Sequence, residues 1–172
     1  MIRNESEGVM SKYTTKFMQR LVKSEPNSTR LAWSITLGLF LAFSPYLGFQ
    51  TILVFVLSFL FHANSAVVFT VLYTVNNPWT MIPIAAFDYI FGHWLTESVL
   101  KFDLLRYNPS WMHWVNSKLS GLTHYLGIEK LCFWCFFIGG NILALAIALL
   151  SYPVLKKLSL KIIKKYADIG QK

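Results

Sequence analysis

Two short stretches of this chain combine helix-breaking residues with amide and hydroxyl side chains. The first holds Pro45, Gly48 and Gln50; the second holds Asn76, Asn77, Pro78, Thr80 and Pro83. A proline has no N–H, so the carbonyl one turn earlier loses its donor. Gly48 permits a tight turn. Gln50, Asn76, Asn77 and Thr80 carry donors and acceptors that freed backbone groups, or a ligand, would use. Asp88 follows about two to three turns beyond Pro78. The chemistry these nine residues offer is polar binding and proton or cation exchange. Two readings of them stay open at this level: a polar path for a solute, or a rigid knot in which the two breaks satisfy each other. For Asp88 the alternatives are a proton or cation role and pairing with a polar neighbour such as an asparagine.

The remaining reactive residue types point to less. Glu97 lies four residues after His93 and reads as an ion pair near a helix end. Cys132-Phe133-Trp134-Cys135 is formally a C-x-x-C, but its aromatic interior and the apolar run behind it suit buried helix cysteines better than an exposed redox pair. His113 and His124 are 11 apart, and no Cys or His grouping has zinc spacing. No phosphate loop, G-x-S-x-G or HExxH is present. No catalytic residue, metal or cofactor is expected, and an enzyme is the weakest of the function classes.

The elements that must position these residues are apolar. From Leu31 to Leu100 there is no Lys or Arg, and the two motifs are the only interruptions. Mean hydropathy is +0.47 and charged residues make up 14%, against roughly 25% in soluble domains. Irregular backbone at membrane depth survives only when it is buried in protein or lines a wet cavity. The net charge of +8 is concentrated at the ends. Residues 1–30 carry +3, residues 153–172 carry +5, and residues 31–152 sum to zero. Basic ends of this kind suit cytoplasmic flanks of a membrane protein and argue against nucleic acid as a partner. Both termini are expected in the cytoplasm, with an even number of crossings.

Along the chain, residues 1–30 form a basic segment. An amphipathic helix over residues 11–24 either packs on the protein or lies on an anionic leaflet. The membrane domain spans 31–152. Its motif-bearing part, 31–100, begins with Leu31–Phe43 and Thr51–Phe61, each short for a span and read as a hairpin of half-helices with Pro45 and Gly48 at its tip. Asn64 or Ser65 caps a helix to about Val75, and Pro78–Leu100 is long enough to span. In 101–130, Asn108-Pro109 offers a cap and first-turn pair for an interfacial helix whose face carries Trp111, Trp114, Val115, Leu119 and Leu122. The last span, 131–152, ends at Pro153, and a basic tail covers 153–172. Ser34, Gly38 and Ala42 in the first segment, and Gly140, Ala144 and Ala148 in the last, are spaced to let those two helices approach closely.

Between Arg30 and Leu95 the chain resembles a bacterial membrane family catalogued as domain of unknown function 2062. The residues that carry the likeness are Ala32, Gly38, Phe40, Pro45, Gly48, Gln50, Thr51, Asn64, Asn77, Pro78, Thr80, Pro83 and Gly92. His62 stands where the family often has a basic residue. The resemblance implies a small multi-pass protein of the bacterial inner membrane, and relatives joined to glycosyltransferase domains imply envelope work. The fold expected is all-α: a polytopic membrane bundle with short or re-entrant helices broken at the two motifs. The leading function is a transporter- or channel-like protein with a polar site at those motifs. The alternative is a scaffold or accessory subunit for envelope glycan or lipid synthesis. Expected partners are the lipid bilayer, a second copy of the chain, and an envelope-synthesis enzyme.

Overall fold

The computed structural model describes residues 25–46, 48–99, 101, 104–125 and 131–167. Among them the only regular structure is helical. The amphipathic helix expected over residues 11–24 lies outside the described residues.

Helix α1, Ser28–Phe43, starts where the Asn27 side chain accepts the N–H groups of Thr29 and Arg30 at 3.0 and 3.3 Å. It stops at Pro45, before which Ser44 is extended. Gly48, at φ 87°, reverses the chain, and α2, Gln50–Leu60, runs back. His62 ends that return in a left-handed conformation, φ 51°. Its carbonyl accepts the Arg30 Nε–H at 2.7 Å, so a cation does reach the end of α2 although His62 itself does not supply it. Arg30 also pairs with Glu25 at 3.3 Å. Asn64 then caps α3, Ser65–Val75, by accepting from Ala66 and Val67. The Asn64 N–H donates to the Ser34 hydroxyl at 2.8 Å, which sets α3 parallel to α1. Leu37, Leu41, Val54, Val68 and Leu72 fill the space between these three helices.

Helix α4, Pro78–Trp94, continues in the direction of α3 and closes with a π-helical turn, Leu95–Val99. After a 3₁₀ turn at Leu104–Tyr107 comes α5, Ser110–Tyr125. Helix α6, Phe133–Ala167, is the backbone of the assembly. Its opening turns pack on α4 and its middle packs on α1. Trp33 packs against Tyr152 with ring centroids 4.9 Å apart, while the Tyr46 hydroxyl donates to Asn141 at 2.6 Å, so α1 and α6 are antiparallel.

Several expectations change. By length and composition one helix among the described residues is fit to cross a membrane, Phe133–Lys164; α1, α2 and α3 are shorter apolar helices. The helical run expected from Pro78 to Leu100 is present to Val99, as α-helix to Trp94 and as a π-helical turn beyond it. Pro153 does not end the last helix, which runs on to Ala167; a proline costs one backbone bond, and here the bonds on either side outlast that loss. Asn108 does not cap α5. Its side chain reaches α6 instead, accepting from Phe133 N at 2.9 Å and donating to Leu131 O at 2.9 Å. Asn116 clamps Leu131 from the other side. Among the described side chains of α5 the buried one is Met112, while Trp111 and Trp114 are exposed; Leu119 and Leu122 fall outside the described side chains.

The approach of α1 and α6 expected from the two stripes of small residues is present, but the glycine of each stripe meets another neighbour. A Cβ on Gly38 would come within 2.7 Å of Val71, so Gly38 faces α3. Gly140 faces Pro45 and Asp88. A further close approach lies where Gly92 of α4 crosses α6 against Cys135 and Gly139.

Candidate functional site

The second break is built around Asn77. Its side chain accepts the N–H groups of Trp79 and Thr80 at 3.0 and 3.1 Å. Thr80 answers by accepting the Asn77 N–H at 3.0 Å, which completes a capping box. The Thr80 hydroxyl also donates to the Val75 carbonyl, one of the groups left open where α3 ends. Pro78 takes the first helical position, where no N–H is needed. Asn77→Leu should therefore cost about 0.5–2 kcal/mol, the usual value of an N-cap. Thermal unfolding in detergent should show the loss, while Val75→Leu should leave the midpoint nearly unchanged.

The first break is held by Gln50. Its Nε2 donates to Leu41 O at 3.2 Å and to Ser44 O at 3.4 Å. Pro45 deprives the Leu41 carbonyl of its usual donor one turn on, leaving it a 3.4 Å bond from the Ser44 N–H, and the Ser44 carbonyl lies just beyond the end of α1. The Gln50 Oε1 accepts from Asn76 Nδ2 at 3.0 Å, and this bond joins the two breaks.

Behind the bond lies a cavity of about 10 Å³ lined by residues of α1, the two breaks, α4 and α6. Pro45, Asn76 and Asp88 line it, with Ser44 as a further polar member; Ala42, Met81, Ile84, Ala85 and Phe136 make the rest apolar. A space of this size takes about one water. Asp88 is 2% exposed, and its Oδ1 has no hydrogen-bond partner. The amide pairing considered for Asp88 is absent at that oxygen. Its Oδ2 packs on the backbone of Gly140, where a Cβ would sit 3.0 Å away.

Of the nine residues singled out from the sequence, three reach the cavity. Gln50, Asn77, Pro78 and Thr80 hold the breaks together instead. Gly48 sits exposed at the turn, and Pro83 is exposed on α4. Ser44, Tyr46, Asn141 and the Gly139–Gly140 pair were not read as site residues. The adjacent glycines were the available signal, since a glycine pair inside an apolar helix marks a close backbone approach.

Elsewhere, His93 and Glu97 form the expected pair at 3.3 Å, both partly exposed. Cys132 and Cys135 are buried as expected, but they are joined in a disulfide at the start of α6. The Cys132 sulfur also accepts the Cys135 N–H, and the Thr96 hydroxyl donates to the Cys135 sulfur at 3.5 Å. Among the described residues no group of His, Cys, Asp and Glu could hold a metal ion.

Comparison with known proteins adds one match. Neither the curated proteins nor the solved structures contain a similar sequence or fold at a meaningful level. A family profile described as an uncharacterized protein conserved in bacteria covers residues 11–167. With nearly the whole length matched, the chain belongs to this bacterial family, DUF2062.

Proposed function

We propose that the chain is an integral membrane protein of transporter-like design, with its polar site at mid-membrane depth. In this reading α1 and α2 form a re-entrant hairpin, α3 and α4 together make one crossing broken at Asn76–Pro78, and α6 makes the other. The observation that carries it is the position of the joined breaks along α6. Tyr46, beside the first break, bonds to Asn141. At 1.5 Å per residue, Asn141 lies about 12 Å from Phe133 and about 16 Å from Tyr152. Those two residues bound an apolar stretch of about 28 Å, close to the ~30 Å hydrocarbon thickness.

Aromatic residues sit at both ends of that stretch. Trp33 and Tyr152 meet at one end, beside Arg30 and the exposed Lys156 and Lys157. Tyr107, Trp111 and Trp134 gather at the other, where the Trp134 indole donates to Tyr107 O. Interfacial rings and flanking lysines of this kind favour the lysine end as cytoplasmic. Two crossings and a re-entrant hairpin would return the chain to that side. Discontinuous helices meeting at mid-depth are how many transporters build their sites.

Trp79 tests the placement, because it opens α4 at the break and is 89% exposed. With the other five tryptophans changed to Phe, its fluorescence in vesicles should be quenched most by lipids brominated near the acyl ends. A protein keeping Trp33 alone should respond most to shallow bromines. Shallow quenching of Trp79 would remove the mid-membrane site.

The accessory-subunit reading keeps one observation of its own. The cavity has room for about one water, too little for an organic solute, whereas Ile52, Phe55, Phe59 and Phe49 leave α2 with a broad open apolar face. Under that reading the face takes a second copy or an envelope-synthesis enzyme in place of lipid. Crosslinking through a cysteine at Phe55 in native membranes would separate the two: lipid exposure leaves the chain uncrosslinked.

A further inference from the structure

We propose that the cavity behind the joined breaks is a proton-binding site, with Asp88 as the group that takes the proton; this rests on the mid-membrane reading above. The carboxylate is buried, Oδ1 is unpartnered, and the adjoining space holds about one water. That combination selects the ligand by size and by coordination. An organic solute does not fit. A hard metal cation takes six or more oxygens, while the lining supplies one carboxylate, Ser44 and Asn76 among mostly apolar neighbours. A proton delivered by one water needs only what is present. The step balances simply: a hydronium in the cavity gives its proton to the Asp88 carboxylate, leaving a neutral carboxylic acid and a water. Ser44 and Asn76 are the other polar residues of the lining; the Ser44 hydroxyl donates to the Phe40 carbonyl and keeps its oxygen as an acceptor, and Asn76 links the space to Gln50 and the first break.

The surroundings leave Asp88 alone in this role. No other lining residue is titratable. On the same helix, Tyr89 packs with Cys132 and Cys135, and His93 is engaged with Glu97. From α6, Gly139 and Gly140 are the neighbours. From the first break the nearest titratable group is Tyr46, whose hydroxyl is bonded to Asn141.

Infrared spectroscopy of the full chain in lipid vesicles, titrated with pH in H2O and D2O, reads the proton directly. The wild type should show a carboxylic-acid C=O band that shifts in D2O and disappears at high pH. Asp88→Asn should lose that band, and Glu97→Gln should keep it. If Asp88→Asn does not fold, a chain carrying Asp103→Asn and Asp168→Asn, labelled with 13C-aspartate, assigns the band to Asp88 with that residue intact. Spectra that match between wild type and Asp88→Asn, or an unshifted band in the labelled chain, would overturn the proposal. Displacement of the band by added sodium or calcium would also overturn it, in favour of a cation. Deep quenching of Trp79 without the band leaves the membrane placement standing and removes only the proton site. The band together with shallow quenching removes the placement and, with it, this proposal.

Discussion

Gly92→Ala should separate α4 from α6 and remove much of the chain's thermal stability. The added methyl would overlap the Cys135 carbonyl and come within 3.0 Å of the Gly139 Cα. These are backbone atoms, so no side-chain rotamer can relieve the contact. Extra methylenes in a packed core cost about 1–3 kcal/mol, and a backbone obstruction belongs at the top of that range or above it. The damage should spread, because the same crossing sets Asp88 against Gly140 and Thr96 against Cys135. Gly48→Ala is the control. It places a methyl in open space, though at φ 87°, so only the left-handed backbone penalty of about 1–2 kcal/mol applies. Unfolding midpoints in detergent should fall much further for Gly92→Ala than for Gly48→Ala. Equal falls would mean that α4 and α6 are not held by this crossing.

The two breaks were legible because their physics is local. A proline at position 78 after two asparagines marks a break from sequence alone, and the structure has the break, with Asn77 capping the helix that follows. The same holds for the turn at Gly48 and the cap at Asn64. What failed was non-local. Asn108 has the right neighbours for a cap, yet its amide is used 25 residues away on Phe133, a choice set by how α5 meets α6. The small-residue stripes fitted the observed α1–α6 contact by spacing, but spacing does not say which neighbour a stripe meets. Gly38 meets α3, and Gly140 meets the first break. Asp88 shows both sides of this. Its burial follows from its place in an apolar helix, whereas its unpartnered oxygen depends on where α1 and α6 stand.

Gln50→Leu should be the most costly polar substitution in the bundle. Gln50 holds the first break and reaches the second, with two donations to the Leu41 and Ser44 carbonyls and one acceptance from Asn76. Leucine keeps roughly the volume and removes all three bonds. A buried polar group left unpaired costs about 1–3 kcal/mol, so the loss should reach several kcal/mol where lipid or protein keeps water out. Asn76→Leu removes only the bridge and should cost less. The coupling between the two sites is the sharper measurement. Once Gln50 is gone, Asn76 has no partner at that nitrogen, so the double variant should lose less than the two single losses combined, by about 0.5–3 kcal/mol for residues in contact. Gln50→Glu separates the functions further, since a carboxylate can still accept from Asn76 but cannot donate to the carbonyls when ionised. Ionised, it also sets a negative charge against the Leu41 and Ser44 carbonyl oxygens, so it should cost at least as much as Gln50→Leu and recover toward wild type at low pH, where the acid can donate again. Strictly additive losses for Gln50→Leu and Asn76→Leu would mean that the breaks are held independently. The junction would then be two separate kinks, with nothing tying Asn76 and its side of the cavity to the first break.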